Sequence, residues 1–157
     1  MSIIHSLKEL NKILPELHRQ NKTIVFTNGV FDILHRGHIE YLNEAKKLGD
    51  ILIVGINSDK SVKKIKGESR PLNNENDRAF ILTNLKSVDY TIIFDELNPG
   101  NLIESIQPDV LVKGGDWKPE EIIGSGTVLK KGGKVFSLKF LEGYSTTSII
   151  KKFNPGS

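Results

Sequence analysis

Apolar residues recur along this chain with two alternating periods. Between positions 6 and 18, Leu7, Leu10, Ile13, Leu14 and Leu17 fall at helical spacing, which predicts an amphipathic helix, bent near Pro15, that packs on whatever follows. The next run, Thr23-Ile24-Val25-Phe26-Thr27, is β-branched and aromatic without a polar break and ends at Asn28-Gly29. A short unbroken apolar run closed by a turn pair reads as a buried strand. Ile39, Leu42, Ala45 and Leu48 then mark a helix that Gly49 stops. The alternation repeats, with strands predicted over 51–56, 90–94, 110–112 and 135–138 and helices over 77–85, 97–106, 122–131 and 146–153.

Strands separated by helices are joined by crossovers, and crossovers demand parallel neighbours. The expected fold is therefore a Rossmann-like, doubly wound α/β domain, a five-stranded parallel sheet in a three-layer α/β/α sandwich. Its ligand is expected at the carboxyl ends of the strands, where the winding reverses. Residues 1–157 are read as one domain, with positions 1–20 as a helical segment packed on it. Neither an internal repeat nor an interdomain linker is visible.

Composition narrows the class. With 157 residues, 38% of them hydrophobic, the chain can bury one good core. It has no cysteine, which removes disulfides, thiolate metal sites and a cysteine nucleophile and fits a cytoplasmic location. No apolar run approaches the roughly 20 residues that span a bilayer, so no membrane partner is expected. The net charge of +3 is spread evenly except at Lys60, Lys63, Lys64 and Lys66. So short a basic cluster suits one polyphosphate rather than a nucleic acid, and on its own it would be a solvated loop or helix end.

The candidate chemistry sits where the first strand gives way to the second helix, in Thr27-Asn28-Gly29-Val30-Phe31-Asp32-Ile33-Leu34-His35-Arg36-Gly37-His38. Gly29 lets the backbone turn close to a ligand. His35 and His38, three apart at a helix start, share a face beside unpaired backbone N–H groups, a place for an anionic phosphate. Gly37 removes a side chain that would block a phosphate from the helix end. The rival readings are Asp32 as a plain helix cap and a histidine pair binding metal. Helical metal pairs favour i,i+4 spacing, however, and no third ligand is evident.

His35-Arg36-Gly37-His38 resembles the HxGH signature of the cytidylyltransferase-like nucleotidyltransferase superfamily. Gly143-Tyr144-Ser145-Thr146-Thr147-Ser148-Ile149-Ile150 is similar to its second hallmark, a hydroxyl-rich helix start that holds the β- and γ-phosphates. By itself the latter would mean only a helix cap. Within the superfamily the chain looks like the D-glycero-D-manno-heptose 1-phosphate adenylyltransferases. Segments 26–32 and Asn57-Ser58-Asp59 carry that likeness, with Lys66-Gly67-Glu68-Ser69-Arg70-Pro71 and the run from Leu111 to Glu121. It departs from the glycerol-phosphate cytidylyltransferases, which carry an arginine where this sequence has Phe140-Leu141-Glu142.

The resemblance implies AMP transfer from ATP to heptose 1-phosphate, with Mg2+ bridging the triphosphate oxygens. His35 and His38 would contact the α-phosphate and the bridging oxygen, and Lys66 and Lys63, on a loop that orders with nucleotide, would neutralise charge. Asn28, Gly29, Val30, Phe31, Gly37, Arg78, Lys113, Gly115, Ser145, Thr146 and Thr147 are the expected nucleotide contacts. Asp32, Arg70, Asp116 and Trp117 are the expected sugar-phosphate contacts, with Asp32 also the carboxylate for a magnesium-bound water. Arg78 could equally be a surface helix arginine, and Trp117 a packing residue. A homodimer is expected, with the Leu-rich N-terminal segment as apolar interface, and a sugar kinase and a phosphatase as separate proteins. Two readings stay open beside this one: a cytidylyltransferase for glycerol 3-phosphate or another small phosphate, and a nucleotide-binding sensor without turnover.

Overall fold

In the computed structural model, which describes residues 2–4 and 6–153, six parallel strands form one sheet. They are β1 (Ser2–Ile4), β2 (Ile24–Gly29), β3 (Ile51–Asn57), β4 (Tyr90–Phe94), β5 (Val110–Gly114) and β6 (Lys134–Leu138), in the order β1-β4-β3-β2-β5-β6. The sequence predicts five of these. The sixth is β1, in register with β4 from Ser2 opposite Tyr90 to Ile4 opposite Ile92. Three residues are too few to display a period, yet Ile4 is only 1% exposed.

Helices α1 (Leu7–Arg19), α2 (Arg36–Lys46), α3 (Asp59–Lys66), α4 (Glu75–Thr83), α5 (Gly100–Ile106), α6 (Ser125–Lys130) and α7 (Thr146–Phe153) complete the described chain. Strand residues alternate between two cores, as a pleat buried on both faces requires. Ile24, Phe26, Ile53 and Leu111 join Leu10, Leu14 and Leu17 of α1 and Leu102, Ile103 and Ile106 of α5. Val25, Leu52, Val54 and Val112 join Tyr41, Leu42 and Ala45 of α2 and Ala79 and Leu82 of α4. Most of the α1 stripe is thus spent inside the domain, with Leu7 left exposed. The helix is continuous through Pro15 and is capped by Ser6, whose Oγ accepts from the Glu9 N–H at 3.3 Å.

Two further differences have local causes. The Lys63–Lys66 stretch, expected as a loop, is the C-terminal part of α3. Ser58 Oγ caps that helix by accepting from the Ser61 N–H at 3.2 Å, and Gly67 ends it at φ 98. Helix α5 begins after Pro99 rather than at position 97, as expected where proline disfavours helical geometry in the residue before it. Among the described residues no helix is long and apolar enough to cross a membrane.

The chain winds outward one way through β2, β3 and β4, then returns to lay β5 and β6 on the other side of β2. The winding reverses between β2 and β5, and their carboxyl ends, Asn28-Gly29 and Lys113-Gly114, open the crevice in which such sheets take ligands.

Candidate active site

The loop leaving β2 is shaped by one strained residue. Phe31 adopts a left-handed φ of 51, a conformation that disfavours any side chain, and its ring covers Gly29. A Cβ on Gly29 would lie 2.9 Å from Phe31 Cε2, so only glycine fits beneath it. The same ring meets His38 edge-on with centroids 5.3 Å apart. His35 is the extended N-cap of α2 (φ −141, ψ 170), and no side chain caps that helix, which leaves first-turn N–H groups for a ligand or water.

The two imidazoles are stacked, with centroids 3.8 Å apart and planes 22° apart. Their Nδ1 atoms are both buried without a hydrogen-bond partner. Burial, and then repulsion from His35, pushes the His38 pKa down to about 4, and burial also lowers that of His35. Both rings are therefore neutral at pH 7, and their unpartnered Nδ1 atoms hold unspent polar capacity. A Cβ on Gly37 would lie 3.0 Å from His35 Nδ1 and 3.1 Å from Tyr144 Cβ. The glycine thus makes room for the His35 ring and for Tyr144 over the helix start.

Across the crevice, Thr146 Oγ1 donates to the Ile33 carbonyl at 3.2 Å, tying α7 to the loop before α2. Ser145 Oγ accepts from the Ser148 N–H at 3.0 Å and caps α7. Thr146 and Thr147 line one cavity of about 240 Å³ with Asn28, Gly29, Val30, Phe31, His38 and Lys66. The histidine motif and the hydroxyl motif, more than a hundred residues apart in sequence, therefore meet in a single cleft. Ser145 lies just outside it, held in its capping role.

Two charged residues do something other than the sequence suggests. Asp32 is 3% exposed, and its oxygens accept from Arg70 Nε at 2.7 Å and from the Leu72 and Asn73 N–H groups at 2.9 Å. Burial pushes its pKa up, but these donors outweigh burial and hold the carboxyl below the usual range. Three N–H donors thus hold Asp32 as an anchor, and it also lines the cleft. It anchors Arg70, which borders the cleft, and the 70–73 segment. Arg78, expected at the nucleotide or on the surface, is neither, because its side chain is fully buried. It donates to the Asn73, Val30 and Asn57 carbonyls at 3.0, 2.6 and 2.8 Å and to Asp59 Oδ1 at 2.8 Å. It locks together three loops around the cleft.

The remaining cations separate. Lys66 reaches the cleft, whereas Lys63 is exposed, 4.0 Å from Glu68. Lys113 lines both this cleft and a second cavity of about 210 Å³, which it shares with Asn28, Trp117 and Glu121; burial lowers its pKa. Trp117 is half exposed, its Nε1 donating to the Gly114 carbonyl at 3.2 Å. Asp116 is exposed and lines neither cavity, and Gly115, at φ 125, turns the chain behind Lys113. Among the described residues no group of three or more His, Asp or Glu side chains converges on a metal position.

Sequence reading misses two cleft residues. Tyr41 shares a hydroxyl hydrogen bond with Thr27 Oγ1 at 2.5 Å, and burial pushes its pKa up to about 12. Its place three residues after His38, on the same face of α2, was the available signal. Phe140 lies in the loop between β6 and α7 and lines the cleft, with no motif to mark it.

Residues 26–152 match the sequence model of the cytidylyltransferase-like family. The chain belongs to this family. It is 51% identical over 151 residues to bifunctional protein HldE of Aliarcobacter butzleri (strain RM4018), covering 96% of this chain and 31% of that protein. With bifunctional protein HldE of Campylobacter concisus (strain 13826) it is 53% identical over 149 residues, covering 95% of this chain and 30% of that one. The chain thus spans about a third of the length of these curated relatives. Among solved structures it resembles a lipopolysaccharide core biosynthesis protein from Thermoplasma volcanium GSS1, at 33% identity and a TM-score of 0.63, covering 79% of this chain and 99% of that one. As a member of the cytidylyltransferase-like family, the chain is a nucleotidyltransferase domain.

Proposed function

We propose that this chain transfers AMP from ATP to D-glycero-D-manno-heptose 1-phosphate, giving ADP-heptose and pyrophosphate. One observation carries the reading. His38, stacked on the neutral His35 ring, faces one cleft with a hydroxyl-led helix and Lys66 at the switch point of a parallel sheet. Its support for the sugar is the likeness to the HldE proteins over 95–96% of the chain and to a lipopolysaccharide core biosynthesis protein.

An oxygen of the sugar 1-phosphate attacks the α-phosphorus in line and forms the new P–O bond. The bond from that phosphorus to the α–β bridging oxygen breaks, and pyrophosphate leaves with the electron pair. The attacking phosphate, with a second pKa near 6, is already largely dianionic at neutral pH, so no strong base is needed. Positioning and charge stabilisation are the protein's share. Imidazole N–H groups of His35 and His38 donate to the α-phosphate and the bridging oxygen. Neutral rings suit this, since their hydrogen bonds strengthen as charge builds. Thr146, Thr147 and the start of α7 hold the terminal phosphates, and Lys66 offsets charge on the leaving group. Magnesium enters with the nucleotide as part of the substrate.

Pyrophosphate release, measured with magnesium for each pairing of ATP or CTP with heptose 1-phosphate or glycerol 3-phosphate, tests the reading. ATP with heptose 1-phosphate is expected to be fastest. Preference for CTP with glycerol 3-phosphate would refute the substrate pair, and nucleotide binding without turnover would refute the transferase itself.

A further inference from the structure

Phe140 is a large apolar side chain left 57% exposed inside a polar cleft. Its position follows from the sheet register. Gly114, the last residue of β5, pairs with Leu138, the last of β6, and Phe140 follows two residues later. Its ring lies against the bare backbone of Gly114, where a Cβ would come within 2.5 Å of Phe140 Cε1 and Cζ. Tyr41 supports it from the side at a centroid distance of 6.0 Å and a tilt of 46°. Both supports are firm, since Tyr41 is 6% exposed and hydrogen-bonded to Thr27.

Supported from one side and more than half exposed, the ring offers an apolar surface to whatever enters the cleft. The loop that carries Phe140 runs directly into Thr146 and Thr147. A ligand whose phosphates sit on those hydroxyls would therefore bring its other end to Phe140. Flat, weakly hydrated nucleobases stack on such rings, and the gain does not depend on a hydrogen-bond code.

We propose that Phe140 is the platform on which the nucleobase stacks, with Gly114 as its backing. This rests on the proposed function only in taking a nucleoside triphosphate as the ligand. Gly114 is then required because any side chain there would push the ring into the cleft.

Titration calorimetry with magnesium, using ATP and inorganic tripolyphosphate on the wild-type chain, F140A and F140Y, tests the platform. F140A is expected to raise the Kd for ATP by about ten-fold and to leave that for tripolyphosphate unchanged, while F140Y, which keeps the π face, restores ATP binding. Equal weakening of both ligands would mean that Phe140 merely places Thr146 and Thr147, and it overturns the proposal. Unchanged or tighter ATP binding in F140A overturns it too, the latter marking the ring as a plug. Failure of the wild-type chain to release pyrophosphate from ATP and heptose 1-phosphate, with the selective loss in F140A intact, would sink the proposed transfer and leave the platform standing.

Discussion

Arg78 offers the sharpest separation between a ligand contact and a structural tie, because the two roles predict opposite outcomes. Arg78→Met keeps most of the apolar stem and deletes every donor. The Val30, Asn57 and Asn73 carbonyls then lose their guanidinium partner, and each acceptor left unsatisfied in the interior costs about 1–3 kcal/mol. Asp59, its side chain one-third exposed, recovers water and adds little. Relief from burying a cation offsets part of the loss, so a net cost of about 4 kcal/mol is expected, a large share of the roughly 5–15 kcal/mol typical of a domain. At about 2–4 °C per kcal/mol for a chain of this size, Tm should fall by about 10 °C. Arg78→Lys should recover only part of that, since one ammonium cannot reach acceptors on three loops. Thermal unfolding and ATP affinity measured on the same preparations decide the matter. A variant that melts within about 3 °C of wild type while its Kd for ATP rises ten-fold would refute the structural role.

The other expectations concern the cleft itself. Asp32→Asn sets an amide against the Leu72 and Asn73 N–H groups and unpairs Arg70, so it should cost about 3–5 kcal/mol in denaturant unfolding; a cost under about 1 kcal/mol would show that the carboxylate is not the anchor. Gly37→Ala should displace the His35 ring and lower kcat by about ten-fold, while Tm stays or rises because alanine favours a helix by about 0.5–1 kcal/mol; unchanged kcat would contradict the packing at that position. His38 takes its proton near pH 4 in the folded chain and near 6.5 when unfolded, so the unfolded state binds more protons between those values. Stability should accordingly fall as pH drops from 6.5 towards 4, and His38→Gln should flatten that stretch of the Tm profile; an identical slope would refute the assignment.

How much of this was legible in the letters depends on the range over which each feature is decided. Strands β2 to β6 show as apolar runs because both faces of a parallel sheet are buried, whereas β1 is too short to carry a pattern. Helix α3 hides for a related reason. Only Val62 among its apolar residues is buried, so no stripe announces it, although Ser58 and Gly67 mark both of its ends. At the site, the His35–His38 and Ser145–Thr147 motifs were readable because each sits at the junction of a strand and a helix, and the sheet order alone brings those junctions together. The structural ties of Asp32 and Arg78 are hidden because a charge near a motif looks only like a ligand contact. What they bind is backbone up to 48 residues away, and no spacing rule reports it. The cleft thus divides its labour in a way that charge counting inverts. Buried charges at Asp32 and Arg78 fix the loops, while neutral imidazoles, hydroxyls and free helix N–H groups, with Lys66 at the rim, are left to meet the phosphates. A site built this way avoids holding a naked buried charge before its ligand arrives, which is the costlier arrangement in a low-dielectric crevice.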